Sequence, residues 1–136
     1  MAKSNLRGSL DTNALLRLLL DDVPAQTNAV ETLLEKGGVF EVADAALIEM
    51  VFVLEKICKM NRSLIQENIF AITRNKQFLC NKELFERCVP IYVAHKSLSI
   101  IDCALIAYAR LANATPLYTF DKDLILYASG DAKNPA

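Results

Sequence analysis

The chain has one histidine, no tryptophan and no excess of either charge sign among its 136 residues. A single histidine, His95, excludes mechanisms that need two, and a Ser-His-Asp triad would have to be built around it. It follows Tyr92-Val93-Ala94 near an expected helix end, where capping the last carbonyls is the ordinary role. The four cysteines, Cys58, Cys80, Cys88 and Cys103, lie in apolar segments and form no C-x-x-C pair. They read as small buried hydrophobes in a reducing cytosol, neither a disulfide frame nor a zinc site. With 15 basic and 16 acidic residues the net charge is −1, so the chain lacks the basic excess of a protein that coats nucleic acid. Any phosphate contact has to be local. No stretch reaches the roughly 18 consecutive apolar residues of a membrane span. The densest run, Met50–Leu54, is flanked by Glu49 and Glu55. The start shows no signal-peptide pattern, and no repeat or low-complexity tract follows.

What the chain does have is apolar residues, 53% of the total, above the usual share. The excess implies a well-buried sheet or an apolar surface kept for a partner. Residues 1–136 read as one domain, long enough to bury roughly 70% of the unfolded surface. Residues 1–5 and 129–136 are expected to fray. Arg7-Gly8-Ser9 looks like a cloning scar, placed where a first strand, Leu6–Leu10, should lie.

In order, that strand leads to Asp11-Thr12-Asn13 and a helix, Ala14–Leu20, apolar nearly all round and so expected to be buried. Pro24 suits the first turn of the next helix, which runs to about Lys36 and stops at Gly37-Gly38. Val39–Ala43 is a second strand. Asp44 should cap a long helix from Ala45 to about Met60. Ser63 with Gln66 resembles a capping box for a helix ending near Arg74. Gln77–Cys80 is a third strand, and Asn81 caps a helix to about His95 that Pro90 should kink or divide. Ser99 with Asp102 is another capping box, opening a helix through Leu111. Leu117–Phe120 is a short β-prone run that ends at Asp121 and Asp123, before a last helix, Lys122–Tyr127. Strands alternating with helices predict an α/β fold with a parallel sheet covered on both faces. Ligands of such sheets bind beyond the strand carboxyl ends, where Asp11 and Asp121 fall.

Each acid has an ordinary structural role available. Asp11, Asp102 and Asp121 are placed as caps or turn residues, and taken singly that role is the commoner one. Glu49 differs, because its helical neighbours Ala45, Ala46, Phe52 and Val53 suggest a core-facing side chain. A buried ionised Glu needs a partner, and none lies within i+4 reach. Arg17 or Arg110 would serve, or a metal ion. Two carboxylates ~6 Å apart repel by roughly 3 kcal/mol at an effective dielectric of 20. Four converging acids therefore need protons or a hard cation. Oxygen ligands without His or Cys select Mg²⁺ or Mn²⁺ over zinc, and such a site suits phosphodiester hydrolysis.

LDTNALLRLLLDD at 10–22, AALIEMVFVLEK at 45–56, SIIDCALIAYA at 99–109 and LYTFDKDL at 117–124 resemble, in order and spacing, the PIN-domain family. Within it they resemble the VapC-type toxins of toxin–antitoxin pairs, over essentially residues 6–127. The resemblance implies a three-layer α/β/α sandwich around a central parallel sheet of four or five strands, and a Mg²⁺-dependent (or Mn²⁺-dependent) endoribonuclease. It places the family's catalytic, metal-holding acids on Asp11, Glu49, Asp102 and Asp121. Thr12, Asn13, Ser99 and Asp123 take supporting roles. It further implies a homodimer silenced by a cognate antitoxin, with RNA as substrate; the cysteine usage and the lack of a long apolar run add the expectation of a cytoplasmic location and no membrane partner. The Lys56–Lys59–Arg62 side of the long helix would suit a protein or RNA contact. Two departures stand out. The first strand is less apolar than the family's, and a last strand after Tyr127 is hard to find.

Three other readings compete. A phospho-accepting receiver also combines acids with Mg²⁺, but its acceptor belongs at the end of the third strand, and Leu79-Cys80-Asn81 has no acid there. A catalytically silent PIN-like binding module is disfavoured by the presence of all four acids. An RNA-processing PIN nuclease that is not a toxin is the third; the short chain favours the toxin.

Overall fold

β1 (Leu6–Ser9) pairs in parallel with β2 (Val39–Glu41), and β2 pairs in parallel with β3 (Phe78–Leu79). Parallel neighbours need crossovers, and helices supply both. α1 (Thr12–Leu20) and α2 (Pro24–Glu35) join β1 to β2, while α3 (Asp44–Phe52) and α4 (Arg62–Thr73) join β2 to β3. The computed structural model describes residues 6–136, and these elements belong to the first of its two units, Met1–Lys82. The expectation that residues 1–5 fray lies outside the described residues.

Arg7, which resembled part of a cloning scar, holds the first strand in place. Its guanidinium donates to the Gly37 carbonyl and lies 5.6 Å from the centre of the Phe40 ring. Gly38 has a φ of +91°, and a Cβ there would meet the Arg7 side chain at 2.1 Å. A glycine is needed at that point for conformation and for room. The register slips between Leu6 and Gly8, so the strand is irregular as well as polar.

Several sequence-predicted boundaries shift. In α1, Leu15 and Leu16 are buried but Leu18, Leu19 and Leu20 are only half-buried. The expected helix to Met60 is α3 followed by a π-helical segment, Val53–Ile57. The Cys58 N–H closes the wide turn on the Val53 carbonyl at 3.0 Å, and Lys59, at φ +55°, cannot continue the helix. Lys59 is thus off the helix, and Lys56 and Arg62 both pair with Glu55, at 3.1 and 3.4 Å. This divides the basic side anticipated for a partner. Ala43, without a side-chain cap, precedes α3, and Asp44 is its first residue. Asn61, rather than Ser63, caps α4 by accepting the Leu64 N–H at 2.8 Å.

The second unit, Glu83–Ala136, contains nearly all of α5 (Lys82–Ala94), then α6 (Ile100–Leu111), β4 (Leu117–Tyr118), α7 (Lys122–Ala128) and β5 (Ala132–Lys133). α5 runs unbroken through Pro90, whose ring is exposed, so the expected division of the helix does not occur. His95 stands one residue beyond α5, its N–H on the Ile91 carbonyl and its ring 4.6 Å from that of Tyr127. Within residues 129–136, which were expected to fray, Ala132–Lys133 form β5. Ser129 and Gly130 turn the chain at φ +44° and +99°, and β5 pairs in parallel with β4. Among the described residues the first unit thus holds a three-stranded parallel sheet and the second a two-stranded parallel one.

None of the four cysteines forms a disulfide. Cys88 and Cys103 are buried as expected, but Cys80 is only half-buried and Cys58, released by the end of the π-helical segment, is exposed.

Candidate active site

β1 and β2 run side by side and end together, with Ser9 opposite Glu41 and the Leu10 N–H on the Glu41 carbonyl at 2.9 Å. Past those carboxyl ends opens a pocket of about 590 Å³, lined by Ser9, Asp11, Thr12, Glu41, Ala46 and Glu49 among others. The structure therefore brings two of the sequence-predicted acids, Asp11 and Glu49, to one cavity. Its described lining holds three carboxylates and no basic side chain.

Asp11 is the N-cap of α1, its Oδ1 accepting the Ala14 N–H at 2.8 Å. The cap occupies one carboxylate oxygen, and a carboxylate has acceptor capacity left on the other. Thr12 is buried, and its hydroxyl donates to the Ala46 carbonyl at 3.1 Å. That bond ties the start of α1 to α3 three residues before Glu49. Asn13 is exposed in the first turn of α1.

Glu49 corrects the sequence reading. It is exposed, not sunk among apolar neighbours. α3 buries Leu47, Met50 and Val51, while Ala45 and Phe52 are exposed and Ala46 and Val53 half-buried. Small and partly exposed apolar residues beside Glu49 imitated a core face. The buried-charge argument for a partner therefore lapses, and the open pocket supplies the water that Glu49 needs. The suggested cationic partners are engaged elsewhere, Arg17 with Asp22 at 3.3 Å and Arg110 with Asp131 at 2.9 Å.

Glu41 is the residue that sequence reasoning missed. The rule that selected Asp11, a position just beyond a parallel strand's carboxyl end, applies equally to the last residue of β2. The expected strand ran to Ala43, which placed Glu41 inside it.

A second pocket of about 350 Å³ shares Glu41 and Ala43 and adds Asp44, Cys80 and Asn81. Burial, and then the nearby Asp44 charge, push the Cys80 thiol up to about 11. It stays protonated near neutral pH, a poor nucleophile and a poor metal ligand. Oxygen chemistry is what this edge of the sheet offers.

In the second unit the other two acids also begin helices. Asp102 completes a capping box with Ser99: its Oδ2 accepts the Ser99 N–H at 3.0 Å, and the Ser99 Oγ accepts the Asp102 N–H at 3.1 Å. Asp121 caps α7 through Oδ1 and the Leu124 N–H at 2.9 Å. Asp123 is exposed in the first turn of α7. Among the described residues, no group of three or more His, Cys, Asp or Glu is gathered so as to hold a metal ion. The donors fit a hard divalent cation in kind, being carboxylates in a pocket whose described lining has no competing base.

A family model described as PIN domain matches residues 9–129. No curated protein and no solved structure matches the chain. Among the described residues no helix is long and apolar enough to cross a membrane.

Proposed function

The chain belongs to the PIN-domain family, whose members are generally metal-dependent nucleases, and from that premise we propose that it is a metal-dependent endoribonuclease. The observation that carries the reading is the pocket beyond β1 and β2, where Asp11, Glu41 and Glu49 stand without a basic side chain among the described lining. Such a pocket repels a phosphodiester unless a cation mediates. In this reading Asp11, Glu49, Asp102 and Asp121 are the carboxylates that hold Mg²⁺ or Mn²⁺. Thr12, Asn13, Ser99 and Asp123 support them. The bound cation would supply Lewis acidity toward the phosphate and a more acidic water. The caps at Asp11, Asp102 and Asp121 fix three of the four carboxylates at helix starts, and each cap needs only one oxygen.

We further assign the chain to the VapC-type toxins of type II toxin–antitoxin systems, acting on RNA in the cytoplasm as a homodimer and silenced by a cognate antitoxin. Support for a protein contact comes from α6, where Ile101, Leu105 and Tyr108 leave a stripe 44%, 46% and 38% exposed at i, i+4 and i+7.

The test is incubation of the purified protein with a pool of cellular RNA in Mg²⁺ or Mn²⁺, beside EDTA and the variants Asp11→Asn and Glu49→Gln. Cleavage that needs the cation and both acids supports the reading. Cleavage that persists in EDTA, or in both variants, overturns it. A nuclease whose expression does not arrest growth would be a processing enzyme instead of a toxin.

A further inference from the structure

The C-terminal strand is joined to Asp121 by an unbroken series of hydrogen bonds. The Leu117 N–H donates to the Asp131 carbonyl at 2.7 Å, and the Thr119 N–H donates to the Lys133 carbonyl at 2.9 Å. Thr119 uses its other polar group in the opposite direction. Its Oγ1 accepts the Asp121 N–H at 3.0 Å, and Asp121 Oδ1 in turn accepts the Leu124 N–H at 2.9 Å. One half-buried residue thus clasps β5 with its backbone and Asp121 with its side chain.

β5 is itself fastened from outside the two-stranded sheet. The Arg110 Nε of α6 donates to Asp131 Oδ2 at 2.9 Å, and another guanidinium N–H donates to the Tyr127 hydroxyl of α7 at 3.0 Å. The same guanidinium lies 5.3 Å from the centre of the Tyr127 ring. Burial alone would lower the Arg110 pKa, but the bonds from Tyr127 and Asp131 outweigh it and hold the pKa above its usual value. A short pair of strands contributes little stability alone, so fixed side-chain anchors decide whether it stays formed.

We propose that Thr119 is a positioning residue for Asp121, and that the C-terminal strand, latched by Arg110 and Asp131, holds Thr119 in place. Thr119 touches neither substrate nor cation in this account; it acts by fixing the backbone that aims the Asp121 carboxylate. The inference rests on the reading of Asp121 as a metal-holding acid, and the latch has a readout of its own.

Thr119→Val keeps the β-branched shape and removes the acceptor, while Thr119→Ser restores the hydroxyl. Asp131→Ala releases the latch. The first readout is amide hydrogen exchange by NMR in metal-free protein, which does not depend on nuclease activity. Exchange at Asp121 should rise about tenfold in Thr119→Val, one factor of ten per roughly 1.4 kcal/mol of local opening, and return in Thr119→Ser. In Asp131→Ala it should rise at both Thr119 and Asp121, with the amides of α6 still protected. The second readout is Mn²⁺ titration followed by paramagnetic broadening at Asp121, with half-saturation moved to higher Mn²⁺ in Thr119→Val and restored in Thr119→Ser. Unchanged exchange at Asp121 in Thr119→Val, or a Thr119→Ser variant that behaves like it, overturns the latch. Altered exchange without Mn²⁺ broadening at Asp121 in the wild type overturns the metal-holding role of Asp121, and with it the positioning proposal.

Discussion

Ser99 and Asp102 hold each other across the first turn of α6, each backbone N–H donated to the other's side chain, at 3.0 and 3.1 Å. The aspartate that the sequence marks as catalytic is therefore also half of a capping box. The cap leaves room for the proposed catalytic role, because it engages Asp102 Oδ2 and a carboxylate has a second oxygen.

Asp102→Asn separates the roles. An asparagine carbonyl still accepts the Ser99 N–H, while the negative charge at the helix start, worth about 0.3–1 kcal/mol, is lost. The metal-free melting temperature should fall by no more than about 4 °C, and RNA cleavage should disappear. Calorimetry and a cleavage assay on one preparation check both. A variant that is clearly less stable yet fully active would make Asp102 a cap alone.

Glu49→Gln should leave metal-free stability within about 0.5 kcal/mol, since Glu49 is exposed. A urea titration reads this directly. A loss of several kcal/mol would return Glu49 to the core-facing role that its sequence neighbours suggested.

Thr12→Val removes the buried hydroxyl that bonds the Ala46 carbonyl, while that carbonyl keeps its place in the α3 backbone ladder. The expected cost is about 1 kcal/mol, with a fall of a few degrees in melting temperature, and Thr12→Ser should recover most of it. The same pair should differ in Mn²⁺ affinity, because the bond ties the start of α1 to the helix that carries Glu49.

Thiol labelling tests the cysteine environments. With iodoacetamide near pH 8 and readout by mass spectrometry, exposed Cys58 should react first, and buried Cys88 and Cys103 should stay unlabelled in the folded chain. Cys80, pushed up to about 11, should lag at pH 8 and gain reactivity as pH rises toward that value. The sign follows from the thiolate being the reactive form. Equal rates for Cys58 and Cys80 at pH 8 would contradict the burial of Cys80.

The legible parts of the fold were those with period or chemistry. Pro24, Gly37-Gly38 and the Ser99–Asp102 box marked element ends that the structure keeps, because each is a local device needing no distant partner. The role of Arg7 was not legible, since its value lies in Gly37 and Phe40, some thirty residues away. β5 has two residues and no alternation to read; pairing with β4 and the Arg110–Asp131 bridge create it. At the site, Asp11 was found by its place after a strand, and Glu41 was overlooked because its strand was expected to run two residues further. Glu49 was selected for burial that it does not have, and the pocket supplies a different reason to keep it.

Whether the acids hold a divalent cation is read from thermal melting of the wild type and Asp11→Asn with and without Mn²⁺. Asparagine caps a helix as well as aspartate does, so the metal-free curves should nearly coincide. At a hundred times the dissociation constant Mn²⁺ adds about 2.7 kcal/mol, a rise of several degrees in the wild type that Asp11→Asn should largely lose at the same concentration. No rise in the wild type, or an equal rise in both, would contradict a cation at Asp11 and leave that residue as a cap alone.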